Sequence, residues 1–258
     1  MEKATQTLRY VAVGDSFTEG VGDETHDPDR PRGWADLVAD GLAAAHGTVE
    51  YANLAIRGRL LEPIATEQID AALALDPLPT MITFNGGGND MLRTGDLTRL
   101  IDLTRTAIRR CRDAGIEVVV LAGADPSNGL PFSEVIRRRG DYLTAEVAAV
   151  AADEGVTFVD VFHDSEIRRP EYWSPDRLHL NPVGHQRVAA LVLTGIGIAT
   201  PTPPRPASSE KPGVAADLHF YREHLTPWVL RRLRRQSSGD ARTAKHPAWV
   251  QRRPDATG

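Results

Sequence analysis

A single cysteine, Cys111, stands in the 258 residues, so no internal disulfide can form and a disulfide-stapled secreted scaffold is excluded. Long apolar runs are missing as well. The longest apolar-rich stretch, Val188 to Ala199, is too short and too interrupted to span a bilayer, and Met1 to Thr7 contains no apolar signal core. A cytoplasmic location without a transmembrane segment is therefore expected. Aromatics are sparse at 6%, yet 41% hydrophobic residues over this length suffice for one sizeable core.

Several catalytic and binding signatures are absent too. No G-x-x-x-x-G-K-[ST] follows any strand pattern, which removes a phosphate-cradling P-loop, and Gly14-Asp15-Ser16 breaks the G-x-G-x-x-G spacing of a dinucleotide site. There is no H-E-x-x-H and no clustered Cys/His spacing, so a metal hydrolase would have to assemble Asp15, Asp90, Asp176, His179 and His185 from distant segments. No cofactor and no metal are expected.

What is present begins at Val11-Ala12-Val13-Gly14-Asp15-Ser16-Phe17-Thr18-Glu19-Gly20, a buried-strand pattern that breaks into a tight turn carrying a serine. A serine hydroxyl is a poor nucleophile unless a base removes its proton and donors hold the resulting oxyanion. Asp176 and His179, three apart in Ser174-Pro175-Asp176-Arg177-Leu178-His179, offer an orienting carboxylate and a base. Asn53-Leu54-Ala55-Ile56-Arg57-Gly58 and Phe84-Asn85-Gly86-Gly87-Gly88-Asn89-Asp90 each follow an apolar stretch and offer oxyanion donors from strand ends. The Ser16 turn is not the G-x-S-x-G elbow of an alpha/beta-hydrolase. Each segment alone has a plainer reading, as a common turn, a surface pair or a flexible glycine loop; their conjunction in order favours catalysis.

These four blocks resemble those of the SGNH hydrolases, also called GDSL esterases and lipases. The resemblance covers residues 8 to about 195 and implies Ser16 as nucleophile, Asp176 and His179 as its partners, and an oxyanion hole built from the amides of Ser16 and Gly58 and the side chain of Asn89. Phe17 departs from the usual leucine or isoleucine and is expected to add bulk beside the nucleophile. Asp15 and Asp90 are expected to brace turns, while Asp15, Arg57 and Arg59 are further candidates for substrate contact. For the two arginines, pointing to solvent or pairing with Asp or Glu is at least an equal alternative. The expected substrate is a small-molecule ester with a short acyl chain, in a pocket walled by Ala124 to Gly129 and the C-terminal tail. Acyl transfer through the same acyl-enzyme and a non-catalytic binding module remain as alternatives.

Strand patterns at Leu8–Gly14, Val49–Asn53, Met81–Asn85, Glu117–Ala122 and Thr157–Val161 alternate with helical patterns at 34–46, 62–75, 97–114 and 135–154 and from Asn181-Pro182. Five such strands predict a parallel sheet covered on both faces. The resemblance implies a flavodoxin-like three-layer α/β/α sandwich with strand order 2-1-3-4-5. Residues 1–199 are expected to form the catalytic domain, and 200–258 a proline-rich linker with a basic extension. Residues 200–258 hold 11 Lys+Arg and 5 Asp+Glu, a net of +6, which leaves −11 for residues 1–199. Opposite signs favour docking of the tail on its own body, with Leu218, Tyr221, Leu225, Trp228, Val229 and Leu233 as an apolar face. Arg231 to Arg235 is a short basic run with no groove-reading motif beside it, so no nucleic-acid partner is expected; nothing in the pattern specifies an oligomer.

Overall fold

The apolar, β-branched runs form the strands that their composition predicts. The computed structural model describes residues 7–24, 30–93, 95–201, 203, 205–207 and 242–254. It contains strands β1 (Arg9–Val13), β2 (Val49–Asn53), β3 (Met81–Asn85), β4 (Glu117–Ala122) and β5 (Thr157–Asp160), each within a residue or so of its sequence pattern. These pair in parallel in the order 2-1-3-4-5.

The sheet has six strands, not the five expected. β6 (His246–Arg252) runs antiparallel along the outer edge of β2, so the sheet is mixed at that edge. The tail residues from Leu218 to Leu233 and Arg231 to Arg235 lie outside the described residues.

Alternation along β1 divides the core. Tyr10 and Ala12 face α2 (Gly33–His46) and α8 (Pro182–Gly195), whereas Val11 and Val13 face α3 (Leu61–Pro63), α4 (Ile69–Leu73), α6 (Thr98–Asp113) and α7 (Ser133–Asp153). That is the three-layer sandwich. Asn181 starts α8 as its N-cap, accepting the Gly184 amide at 3.0 Å with Pro182 at the first helical position. The 62–75 pattern is not one regular helix: a π-turn over Ile64–Gln68 separates α3 from α4. One extra residue per turn rotates Gln68 into the core, 6% exposed, beneath the end of β1. Among the described residues, no helix is long and apolar enough to cross a membrane.

Candidate active site

At the carboxyl end of β1 the chain must turn within a few residues, and the local side chains allow it. Gly14 is in close contact: a Cβ there would lie 2.3 Å from Thr18 Oγ1. Its amide donates to Gln68 Oε1 at 2.8 Å, and Gln68 Nε2 donates back to the Gly14 carbonyl at 2.9 Å. Asp15 then caps the short helix α1 (Ser16–Glu19), with Oδ1 accepting the Phe17 amide at 3.0 Å. Ser16 is thereby the first helical residue, clamped on both sides.

The partners of Ser16 come from a loop 163 residues downstream. His179 Nε2 lies 3.1 Å from Ser16 Oγ, and Nδ1 lies 2.6 Å from Asp176 Oδ2. Asp176 Oδ1 accepts the amides of Leu178 and His179, each at 3.0 Å. A bridge between Trp173 and Leu180 closes this loop, and Arg177 takes a left-handed φ of 55° so that the chain can turn back. Burial would raise the pKa of Asp176, but the His179 hydrogen bond, the His179 charge and the two amides outweigh it and bring the carboxyl down to about 2. Asp176 is an anion throughout the neutral range, which holds the His179 proton on Nδ1 and leaves Nε2 to accept from Ser16.

Two further strand ends converge here. After β2 the chain stays bonded to β1 as Leu54 N donates to Ala12 O and Ile56 N to Gly14 O, which carries Arg57 and Gly58 towards the Ser16 turn. Gly58 has φ 77°, a conformation that favours glycine. After β3, Asn89 sits in α5 (Gly88–Met91); its Nδ2 donates to Asp15 Oδ2 and to the Arg59 carbonyl, both at 3.0 Å. Asp90 Oδ2 accepts the Leu61 amide at 2.9 Å. Asp15 and Asp90 thus brace turns, and Asp15 also anchors Asn89. Burial raises the Asp15 carboxyl to about 6, against the lowering effects of the Phe17 amide, His179 and Asn89.

The remaining candidates are placed differently. Arg57 is held inside the protein: Nε and Nη2 donate to Glu19 Oε1 at 2.8 and 2.6 Å, and its amide to Glu19 Oε2 at 2.6 Å. Of the readings open for Arg57, the structure shows the pairing with an acidic residue. Arg59 enters the site through its carbonyl on Asn89. The ring of Phe17 packs 5.7 Å from that of Trp34 in the α2 core. His185, weighed as a metal ligand, has both ring nitrogens on the main chain, at Trp34 N (3.2 Å) and Val21 O (3.1 Å). Among the described residues, no group of three or more His, Cys, Asp or Glu could hold a metal.

Gly129 packs against the backbone of Arg177, so the Ala124–Gly129 loop lies on the loop that carries Asp176 and His179. Under the glycine loop before Asn89, a cavity of about 50 Å³ is lined by Gly86, Gly88, Met91, Ala124, Gly140 and Phe162, among others. Sequence reasoning missed Gln68 and Glu19. Gln68 carried no signal beyond being a polar residue on an otherwise apolar helix face, while Glu19 stands in the Ser16 segment itself.

No curated protein matches this sequence. Solved structures do. TesA superposes with a TM-score of 0.59 at 23% identity, over 74% of this chain and 98% of that one. Axe2, an acetylxylan esterase from Geobacillus stearothermophilus, gives 0.62 at 18% identity, over 74% and 95%. The psychrotrophic esterase EstA from Pseudoalteromonas sp. gives 0.58 at 18%, over 73% and 96%. At these identities the likeness establishes the fold. Membership follows from the sequence model of a family described as GDSL-like lipase/acylhydrolase, which matches residues 12–187, more than half the chain and all four blocks around Ser16, Gly58, Asn89 and His179. The chain belongs to the GDSL-like lipase/acylhydrolase family.

Proposed function

We propose that the protein hydrolyses carboxylic esters through an acyl-enzyme on Ser16. Membership of an acylhydrolase family makes it a carboxylic-ester hydrolase in class; the residue roles rest chiefly on the continuous Ser16–His179–Asp176 relay, with its 3.1 and 2.6 Å contacts. His179 Nε2 takes the hydroxyl proton as Ser16 Oγ bonds to the ester carbonyl carbon, and the carbonyl electron pair moves onto oxygen. The resulting oxyanion is held by the amides of Ser16 and Gly58 and by Asn89 Nδ2. Asn89 already donates to Asp15 and Arg59, so the oxyanion must share one of these protons. Collapse expels the alcohol, which takes the proton from His179, and water then repeats the cycle on the acyl-enzyme.

A short acyl group is the substrate part that the small cavity beside the glycine loop favours; Gly88, next to Asn89, lines it, and Ser16 and His179 do not. The cavity volume of about 50 Å³ is small next to the ~150 Å³ of an apolar cavity that admits benzene. The test is a p-nitrophenyl ester series from acetate to octanoate, run with EDTA present, on the wild type and on Ser16→Ala. Hydrolysis that favours the shortest esters and disappears in Ser16→Ala, together with fluorophosphonate labelling of the wild type alone, is the expected result. Equal activity in both proteins would remove Ser16 from the chemistry.

A further inference from the structure

The family match ends at residue 187, yet a later segment reaches the nucleophile helix. The side chain of Lys245, immediately before β6, is only 5% exposed. Its Nζ donates to the carbonyls of Glu19 (2.7 Å), Pro31 (2.7 Å) and Arg32 (2.8 Å) and to the carboxylate of Asp36. An ammonium has three protons, so four acceptors are more than it can serve singly, and a buried cation this well coordinated fixes the positions of all of them. Arg252, at the far end of β6, donates to the other oxygen of Asp36 at 2.8 Å. The β2–β6 register shifts between Tyr51 and Asn53, at the end where the chain leaves the sheet for Lys245.

Of these contacts, the one to Glu19 matters most for the site. Glu19 closes the helix that Ser16 opens, so Lys245 holds the far end of a four-residue element whose near end is the nucleophile. The Glu19 side chain, 8% exposed, carries the connection onward to the amide and guanidinium of Arg57, and the next residue is Gly58. Arg242, from the same C-terminal segment, lies 3.8 Å from Glu19 Oε1. Two of the three oxyanion donors, the amides of Ser16 and Gly58, are therefore separated by a hydrogen-bonded path that runs through Glu19 and is anchored by Lys245.

We propose that residues 242–252 form a positioning clamp for this active site, with Lys245 and Glu19 fixing the Ser16 and Gly58 amides relative to each other. The inference rests on the ester-hydrolase reading for its catalytic consequence but not for its structural one. Neither residue touches the reacting atoms; both act through main chain that does. An oxyanion exists only near the transition state, so loosening its donors lowers kcat and leaves KM nearly unchanged.

The test uses the full chain with Glu19→Gln, Lys245→Met and the double variant Asp36→Asn/Lys245→Met, assayed on p-nitrophenyl acetate well below each Tm. The same proteins are followed by hydrogen–deuterium exchange over residues 16–20 and 55–60. The double variant removes both buried charges and keeps the question open to test should Lys245→Met alone unfold. The expected result is a fall in kcat of about 10- to 100-fold with KM within about threefold of wild type, and faster exchange in 55–60 for every variant. Residues 16–20 should also exchange faster in the two Lys245 variants. A purely structural contact would lower Tm and leave kcat and exchange at both segments at wild-type values; that outcome overturns the clamp. Exchange needs no substrate, so an inactive wild type would sink the ester-hydrolase reading while exchange still decided the clamp.

Discussion

Replacing His185 should change how the stability of this protein responds to acid. His185 is fully buried on α8, where Nδ1 accepts the Trp34 amide and Nε2 donates its proton to the Val21 carbonyl. Only the neutral ring with its proton on Nε2 makes both bonds. A second proton would aim an N–H at the N–H of Trp34, in a place closed to bulk solvent. Burial accordingly lowers the pKa to about 4, against an opposing pull from the Val21 carbonyl and Asp23. In the unfolded chain the same ring titrates near 6.5. Below about pH 6.5 the unfolded state takes up a proton that the folded state refuses, so the contribution of His185 is complete above that pH and is lost as the pH falls towards 4. The window spans about 2.5 units at about 1.4 kcal/mol each, or about 3 kcal/mol in all.

Asp15 and Asp36 act in the opposite sense, because burial raises both to about 6. Between about pH 6 and 3.8 the folded state holds protons on these carboxyls that the unfolded state has released, so each adds stability as the pH falls. The raw stability curve of the wild type therefore mixes opposed slopes, and the informative quantity is its difference from His185→Gln. Glutamine keeps one donor and one acceptor but does not titrate. At pH 7 the variant should be less stable by about 1–3 kcal/mol through poorer hydrogen bonds. By pH 4.5 that gap should close or reverse, having shrunk by about 2–3 kcal/mol. Urea unfolding followed by tryptophan fluorescence at half-unit pH steps measures it. A gap that stays constant from pH 7 to 4.5 would show that His185 does not stay neutral in the folded protein.

Removing the Asn89 donor with Asn89→Ala should lower kcat on p-nitrophenyl acetate about 10²–10³-fold while fluorophosphonate labelling of Ser16 persists at a reduced rate; unchanged kcat would remove Asn89 from the oxyanion hole. Asp15→Asn keeps the cap on the Phe17 amide but can turn the acceptor facing Asn89 into a donor, so steady-state kcat should fall by at least about tenfold, with far-UV circular dichroism unchanged. A Cβ at Gly140 would sit 2.2 Å from the Phe162 ring beside the cavity, so Gly140→Ala should cost about 1–3 kcal/mol in thermal unfolding; an unchanged Tm would mean that α7 shifts freely.

Legibility in the sequence followed how local each cause is. β3 (MITFN) and β4 (EVVVLA) are short apolar runs bounded by turn residues, and their boundaries were readable without tertiary context. The Ser16, Gly58, Asn89 and Asp176/His179 blocks were readable because each is a short pattern at a strand end or turn. The π-turn at Ile64–Gln68 was not, since an inserted residue leaves a helical apolar pattern nearly unchanged while rotating one side chain into the core. β6 was hidden for a different reason. HPAWVQR contains a proline, its half-exposed residues show no clean alternation, and it is held by distant partners, the edge of β2, Asp36 and the Pro77 carbonyl. Lys245 and Arg252 of the C-terminal segment pair with Asp36. Which lysine would be buried depends on four acceptors contributed by residues 19 to 36, a convergence that no local pattern encodes.

Two carboxylates flank the proposed reaction path, and their environments drive them apart. Asp176 is brought down to about 2 by donors and by His179, so on the proposed path it stays charged beside the imidazolium of His179. Asp15 is raised to about 6 by burial, yet one of its oxygens caps the nucleophile helix and the other anchors Asn89. A charge at Asp15 strengthens both of these hydrogen bonds and at the same time repels an oxyanion held by the same asparagine. Its oxygens are both engaged by donors, which spreads that charge into the turn and limits the repulsion. The same carboxylate can therefore hold the proposed oxyanion donor in place because it is fully bonded, and a variant at Asn89 that leaves Oδ2 without its donor loses the anchor and part of the screening together.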